Sequence, residues 1–133
     1  MLLTKECDYG VRIIRALMDG TLQTVKTICD KEHVPHQYAY KILKKLEKAG
    51  LVQSHQGPSG GYRLVKSLST FTLCDVVTAI DKDLFLFECI RPEWDCPRND
   101  PAVPCTVHQE FCRLQEVVVA ELRKKTMEEL FSD

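Results

Sequence analysis

Two short apolar segments, residues 51–55 and 62–65, flank the turn sequence Gly57-Pro58-Ser59-Gly60-Gly61. Glycine and proline at these positions favour a tight reversal of the chain, and the flanking residues include the aromatic and β-branched types that strands prefer. The sequence therefore predicts a two-stranded β-hairpin. Because the segments on both sides have helical periodicity, this hairpin is the only sheet that we expect in a mainly α-helical chain.

Three helices are predicted before the hairpin. The first spans about residues 4–19 and ends at Gly20, and Thr24 can cap a second, short helix that Pro35 ends. A third helix follows, with Gly50 as its left-handed C-terminal residue. Two short helices with a tight break, followed by a hairpin, predict a winged helix-turn-helix. The residues predicted to face the core are Cys7, Val11, Ile14 and Met18 in the first helix and Tyr38, Ala39, Ile42, Leu43 and Leu46 in the third.

The charge distribution favours nucleic acid as a partner. The whole chain has a formal net charge of −1, yet residues 31–66 contain seven lysines and arginines and only two carboxylates. A basic segment within a nearly neutral chain is typical of a DNA-contacting surface. We expect double-stranded DNA to be contacted by the third helix in the major groove and by the hairpin, or wing, at the backbone. The predicted contact residues are His36, Gln37, Tyr40, Lys41, Lys44 and Lys45 in the helix and Gln56, Ser59, Gly60 and Arg63 in the wing.

The second half of the chain begins with a fourth helix, for which Thr72 and Asp75 form a capping-box pattern. A stretch rich in proline and cysteine follows, and a last helix is predicted from about Cys105 to near Phe131. Phe111, Leu114, Val118 and Leu122 form an apolar stripe along it, which a second copy of the chain could cover, so we interpret it as a dimerisation helix. The predicted division is residues 1–66 for DNA binding, 67–104 for the connecting helix and cysteine-rich loop, and 105–133 for dimerisation.

The seven cysteines are unevenly placed. We expect a cytoplasmic protein, because the sequence contains no signal peptide and no membrane-spanning segment, and thiols stay reduced in that compartment. Three of them, Cys7, Cys29 and Cys74, lie among apolar residues and are expected to be buried as small hydrophobic side chains. The other four are concentrated in residues 89–112 and call for a different explanation.

The sequences Leu46-Glu47-Lys48-Ala49-Gly50-Leu51-Val52 and Gly57-Pro58-Ser59-Gly60-Gly61-Tyr62-Arg63-Leu64, together with Asp8-Tyr9 and Arg12, strongly resemble the Rrf-two family of bacterial winged-helix transcription regulators. The resemblance covers nearly the whole chain and implies homodimers on palindromic operators, with long C-terminal helices that cross between subunits. It implies no enzymatic activity and no small-molecule substrate. Tyr40 and Gln56 stand where some members have an acidic residue and an arginine, so the operator sequence is not carried over.

The resemblance also implies an iron–sulfur cluster that senses redox, iron or nitric oxide status. Cys89, Cys96 and Cys105 match, in order and location, the three cysteines of cluster-bearing members, and thiolates on a proline-rich loop suit such a cluster. The fourth ligand has three candidates. His108 corresponds to a 2Fe–2S cluster, which we favour; Asp8 from a partner subunit corresponds to a 4Fe–4S cluster; Cys112 would give four thiolates.

A different use of the cysteines is the alternative prediction. The same donors could bind zinc, or the thiols could act without metal by reversible oxidation in a winged-helix repressor. No catalytic motif is found: the glycine-rich loop lies in a hairpin rather than at a phosphate-binding turn. We therefore expect a regulator and not an enzyme.

Overall fold

The computed structural model describes residues 3–132. Six α-helices and one hairpin follow in the order α1 (Lys5–Ala16), α2 (Val25–Glu32), α3 (His36–Lys48), β1 (Val52–His55), β2 (Gly61–Leu64), α4 (Leu73–Ile80), α5 (Thr106–Leu122) and α6 (Met127–Phe131). There are also two short 3₁₀ turns: Leu68–Thr70 comes just before α4, and Glu88–Ile90 lies within the cysteine-rich stretch. The antiparallel strands pair Val52 with Leu64 and His55 with Gly61, which confirms the predicted hairpin.

The core forms where α1 packs against α2, α3 and α4. Ile13, Ile14 and Leu17 of the first helical segment are fully buried, whereas Met18 is 51% exposed. The predicted stripe was therefore wrong at Met18, because the helix ends at Ala16 and the six apolar residues at positions 11–18 allow more than one inward face. In α3 the predicted face is confirmed: Ala39, Ile42, Leu43 and Leu46 are buried.

Local signals in the sequence set several helix ends. Gly20 and Gly50 have φ of +77° and +76°, as expected of residues that end helices in the left-handed conformation. The backbone N–H and the hydroxyl of Thr72 both donate to the carboxylate of Asp75, at 2.8 and 3.0 Å, so the predicted capping box of α4 is present. Cys7, Cys29 and Cys74 are at most 4% exposed, as predicted.

The linker between α1 and α2 fastens the hairpin to the helices, a contact that the sequence did not predict. Gln23 and Tyr62 exchange two backbone hydrogen bonds, of 2.9 and 2.8 Å. Gln23 therefore pairs with strand β2 as a single antiparallel residue. The buried side chain of Gln23 donates to the carbonyl of Ala16 at 2.7 Å. The wing is therefore continuous with the helical core and is not a free loop.

The C-terminal segment departs from the prediction of a single helix reaching Phe131. The long helix α5 is present, but it ends at Leu122, and the chain turns before a separate α6. Met127 of α6 is fully buried, and its N–H donates to the carbonyl of Phe71 at 2.9 Å. A second capping box, formed by Thr126 and Glu129, starts α6. Residues 123–132 thus return to the segment just before α4 instead of extending the helix.

The helices carry no membrane-spanning candidate: within residues 3–132, none combines the length and the apolar character that crossing a bilayer requires.

Replacing Gly61 should reveal how strongly the wing depends on the contact with the linker. The residue has φ of +155°, and an added Cβ would overlap the carbonyl oxygen of Gln23 and lie 2.6 Å from its carbonyl carbon. We expect Gly61→Ala to lower the free energy of unfolding by roughly 2–4 kcal/mol, measured by urea denaturation.

Gly57→Ala is the matched control, because Gly57 also has a positive φ, +108°, but nothing lies within 4 Å of its added Cβ. Gly57→Ala should lower the free energy of unfolding by about 1 kcal/mol, because it introduces backbone strain without a steric overlap. Equal losses for the two variants would contradict the close approach of the wing to Gln23.

Candidate nucleic-acid interface and cysteine cluster

The first two turns of α3 present polar side chains to solvent. His36, Gln37 and Lys44 are exposed, and Tyr40 keeps 54% of its surface accessible although it is aromatic. Pro35 precedes the helix and supplies no side-chain cap, so the first N–H groups of α3 are also free of a capping side chain. An exposed helix end with hydrogen-bonding and basic side chains has the shape and chemistry required to enter a major groove.

Two of the predicted helix contacts, Lys41 and Lys45, are engaged by a carboxylate of α1. Their ammonium groups lie 2.7 and 3.0 Å from the two carboxylate oxygens of Glu6. These hydrogen bonds hold the pKa of Glu6 below its ordinary value, and the bond to Glu6 raises the pKa of Lys41. The sequence did not predict these two ion pairs, because Glu6 lies 35 residues before Lys41.

The wing places its predicted contacts at the surface. Gln56, Ser59 and Arg63 are exposed, while Gly60 is half-buried. A Cβ on Gly60 would overlap the carbonyl oxygen of His55, so this glycine is required by the turn itself.

The wing is also joined to α3. The carboxylate of Glu47 accepts a 2.7 Å hydrogen bond from the hydroxyl of Ser54 on β1. The second predicted DNA-contacting element is therefore held in a fixed position relative to the first.

The cysteine-rich loop, residues 81–105, lies against α5. The rings of Phe87 and Phe111 stack with centroids 3.7 Å apart and planes 3° from parallel. Gln115 of α5 accepts from the N–H of Leu86 at 2.9 Å and donates to the carbonyl of Leu84. These contacts fix the start of the loop on the face of α5 that carries His108 and Cys112.

Four thiols gather at this place. Cys89, Cys96, Cys105 and Cys112 are all half-buried and form no disulfide. Burial raises the pKa of the Cys89 thiol, and the neighbouring Cys96, Cys112 and Cys105 raise it further, because negative charge on one sulfur disfavours charge on the next. The structure thus brings Cys96, Cys105 and the alternative ligand Cys112 within electrostatic range of Cys89.

His108 lies beside the thiols and carries an unusual polar atom. Cys105 is the N-cap residue of α5, and His108 and Cys112 follow it on the helix. The Nε2 atom of His108 is 3.5 Å from the sulfur of Cys112. Its Nδ1 atom is buried and has no hydrogen-bond partner among residues 3–132. A buried ring nitrogen without a partner is costly to a folded protein and calls for an occupant.

The donor set suits the chemistry of an iron–sulfur cluster, because three thiols lie on the cysteine-rich loop or at its end, and one imidazole nitrogen lies on the first turn of α5. In residues 3–132, however, no three histidine, cysteine or carboxylate side chains are close enough together to hold a single metal ion. Asp8, the alternative ligand, is exposed on α1 and pairs with Arg12 at 3.1 Å. In the described part of one chain, no hydrogen bond or ion pair joins Asp8 to these thiols.

The lowered pKa of Glu6 predicts how the ion pairs between α1 and α3 respond to acid. A carboxyl group whose pKa is lowered on folding stabilises the folded state at neutral pH. That stabilisation is lost as the pH falls below the ordinary pKa of glutamate and through the lowered value of the folded state. We expect Glu6→Gln to lower the melting temperature near neutral pH, and the difference from the wild type to shrink steadily as the pH falls below the ordinary pKa of glutamate.

Thermal denaturation followed by circular dichroism at several pH values measures this difference. Asp30→Asn is the control, since Asp30 pairs with Lys26 in the same helix and both side chains are well exposed. A melting difference for Glu6→Gln that is independent of pH would contradict the assignment.

Comparison with known proteins places this arrangement in a family. A model of the Rrf2 family, described as an iron-dependent transcriptional regulator, matches residues 3–133. The transcriptional regulator IscR of Vibrio vulnificus is 30% identical over 100% of this chain and 79% of its own length.

Two solved structures share the fold. CymR of Staphylococcus aureus in its oxidized form aligns with a TM-score of 0.76 and 19% identity, covering 100% of this chain and 98% of that chain. CymR of B. subtilis, described as the global cysteine regulator, aligns with a TM-score of 0.75 and 22% identity, covering 100% and 99%. Both confirm the predicted winged helix-turn-helix with a long C-terminal helix, and the similar proteins are regulators rather than enzymes. The chain belongs to the Rrf2 family of transcriptional regulators.

Proposed function

We propose that this protein is a dimeric, cytoplasmic DNA-binding regulator whose affinity for its operator depends on an iron–sulfur cluster held by the cysteine-rich loop. The observation that carries the proposal is the electrostatic proximity of three half-buried thiols to Cys89, with the imidazole of His108 beside Cys112 at the start of α5. The description of the family as iron-dependent supports iron as the metal.

The DNA-binding surface in this proposal consists of α3 and the wing. Gln37 and Tyr40 read base edges in the major groove, because both are exposed near the start of α3 and can form hydrogen bonds. Lys44 and Arg63 contact phosphates. Lys41 and Lys45 need to release Glu6 before they can do the same, so they contribute less than their charge alone indicates.

The exposed apolar face of α5 supports a homodimer. The helix contains no fully buried residue within one chain, and Val107 and Val117 are 55% and 45% exposed. Phe111 and Leu114 on the same helix are half-buried. A second copy crossing this helix would cover these side chains and place two α3 helices on the two halves of a palindromic operator.

Cys89, Cys96 and Cys105 would hold the cluster, with His108, Cys112 or Asp8 of a partner subunit as the fourth ligand; a histidine ligand corresponds to the 2Fe–2S form and Asp8 to a 4Fe–4S form. When bound, the cluster supplies a redox-active, iron-dependent group that oxygen or nitric oxide can modify. The loop residues respond by packing closer to α5 when their sulfurs are bound, and by loosening when they are not.

The response can reach the DNA-binding surface through the elements that the loop touches. Gln115 and Phe111 tie the loop to α5, and the loop begins directly after α4, which packs on α1 and α3. A change in the loop would alter the angle of α5 and hence the spacing between the two α3 helices of a dimer.

Thiol chemistry without a cluster is the second candidate. It is favoured by the similarity in fold to CymR, which is described as a cysteine regulator and was solved in an oxidized form. Zinc bound by the same donors belongs to this candidate as well. Visible absorbance separates the two, because zinc thiolates are colourless.

Base reading by α3 can be separated from phosphate binding by two substitutions. We expect Tyr40→Ala to weaken binding by about 1–3 kcal/mol at one base position of each half-site, since a base contact is lost. Lys44→Ala should weaken binding to every sequence and reduce the salt dependence by about one charge. The measurement is fluorescence anisotropy on an operator selected from a random duplex library and on its single-base variants, at several salt concentrations.

Lys125→Ala, an exposed lysine between α5 and α6, is the control and should leave both quantities unchanged. Uniform weakening by Tyr40→Ala across all base variants would contradict a role in base reading.

The cluster is tested on protein purified without oxygen. The wild type should be coloured and should contain iron and acid-labile sulfide in matching amounts, and Cys96→Ala should lose most of both. Cys74→Ala should keep them, because Cys74 is buried in the core away from the loop. Operator affinity should differ between the protein with its cluster and the same protein after chelation. A colourless wild type that stays colourless on reconstitution would contradict the cluster and leave the DNA-binding assignment intact.

A further inference from the structure

A cavity of about 890 Å³ lies between the end of α3, helix α4 and the end of α5. Clefts of several hundred cubic ångströms are typical of sites for small molecules. Among the residues that the structure describes, its lining contains none of the four clustered cysteines, and Lys45 is the only lining residue that is also predicted to contact DNA. Neither the cluster nor the DNA-binding surface therefore accounts for this cavity.

The buried part of the lining is apolar. Leu51, Cys74 and Ile80 border the cavity with at most 4% of their surface exposed, and the small side chains of Ala49 and Ala79 lie beside them. Covering such a lining with the carbon atoms of a ligand removes apolar surface from water, which favours binding. A hydrated inorganic ion gains nothing from it.

Cationic side chains form the exposed part of the lining, and they come from four parts of the chain: Lys45 and Lys48 of α3, Lys66 after the wing, Lys82 after α4 and Arg123 at the end of α5. The ammonium group of Lys45 is paired with Glu6 at 3.0 Å. The other four cations form no ion pair with any residue between positions 3 and 132. Positive charges that the protein itself does not neutralise, placed around one cleft, attract an anion.

The two carboxylates in the lining are already engaged elsewhere. Asp75 accepts hydrogen bonds from the N–H and the hydroxyl of Thr72, at 2.8 and 3.0 Å. Asp81 accepts a 3.0 Å hydrogen bond from the N–H of Asp83. Both carboxylates thus bond to neighbouring residues of their own segment, and the cavity keeps an excess of positive charge.

We propose that this cavity binds an organic phosphate: a small molecule with an apolar body and a phosphate monoester group. The body lies against Leu51 and Ile80, and Arg123 and the unpaired lysines bind the phosphate oxygens. A dianion is favoured over a carboxylate because cations approach the cleft from several elements and each adds to the attraction. The proposal goes beyond the regulatory function, since it requires neither the cluster nor DNA.

Phenyl phosphate is a suitable probe, because it combines an aromatic ring with a group that is doubly charged at about pH 7.5. It is titrated into the ¹⁵N-labelled protein, and amide shifts are followed by nuclear magnetic resonance. We expect saturable shifts at the ends of α3, α4 and α5, with Thr78 and Arg123 among them. Phenylacetate should bind more weakly because it has one charge, inorganic phosphate more weakly because it lacks the ring, and benzyl alcohol most weakly of the three.

Two substitutions and a matched control test the site. Arg123→Gln and Lys82→Gln should each weaken the binding of phenyl phosphate by about threefold to fivefold, the upper range for an exposed ion pair. Both side chains are exposed, so the melting temperature without the probe should stay at the wild-type value. Lys125→Gln removes an exposed lysine two residues after Arg123 that does not line the cavity, and it should leave the affinity unchanged.

The proposal is overturned if phenyl phosphate gives no saturable shifts, or if the shifts lie on the first turns of α3 and the wing, where a phosphate would compete for the DNA-binding surface. Equal weakening by Lys125→Gln would reduce the effect to diffuse surface charge. Equal affinity for benzyl alcohol or for inorganic phosphate would contradict an organic anion. None of these outcomes bears on the cluster, which iron and sulfide analysis tests separately.

Discussion

Burial of helix α1 is the interaction on which the rest of the fold depends, because α2, α3 and α4 all pack against it. Ile13 and Ile14 fill the centre of this core with no exposed surface. Gly10 lets α4 approach closely: a Cβ at that position would lie 3.0 Å from Cγ1 of Ile80. Since α4 leads directly into the cysteine-rich loop, the same helix pair that completes the DNA-binding core also sets where that loop begins.

The exposed face of α3 is oriented by contacts on both of its flanks. On one side Glu6 of α1 binds Lys41 and Lys45, and on the other Glu47 accepts from Ser54 of the wing. The wing is in turn bonded to the α1–α2 linker. The residues proposed to read DNA therefore stand on a helix whose rotation is restricted before any DNA is bound, which lowers the ordering cost of binding.

Elements governed by neighbouring residues were predictable, and contacts between distant residues were not. The hairpin, the glycine ends at Gly20 and Gly50 and the capping box of α4 follow from local backbone preferences. The engagement of Lys41 by Glu6 and of Tyr62 by Gln23 joins residues 35 and 39 positions apart, and no pattern in a single sequence reveals such pairs.

The break between α5 and α6 had a local signal that the continuous apolar stripe concealed. Thr126 and Glu129 form a capping box, and a helix that begins at Met127 cannot be the continuation of α5. Sequence alone grouped the four clustered cysteines and His108, but it left the fourth ligand open. The contact between His108 and Cys112 is the part of this group that spacing alone could predict, because residues four apart share one face of a helix.

Because the chain returns to the core after α5, the C-terminal end of this long helix is anchored more firmly than its N-terminal end. At its C-terminal side, Met127 is buried in the core and bonded to Phe71, and Thr126 pairs with Thr72 at the start of α4. Toward its N-terminal side, α5 is held by the cysteine-rich loop, through Phe111 and Gln115. A helix anchored at one end responds to a change at the other by tilting. The proposed cluster site lies at the end of α5 that is free to move. A change there would tilt α5 while the core around α1 remains undisturbed.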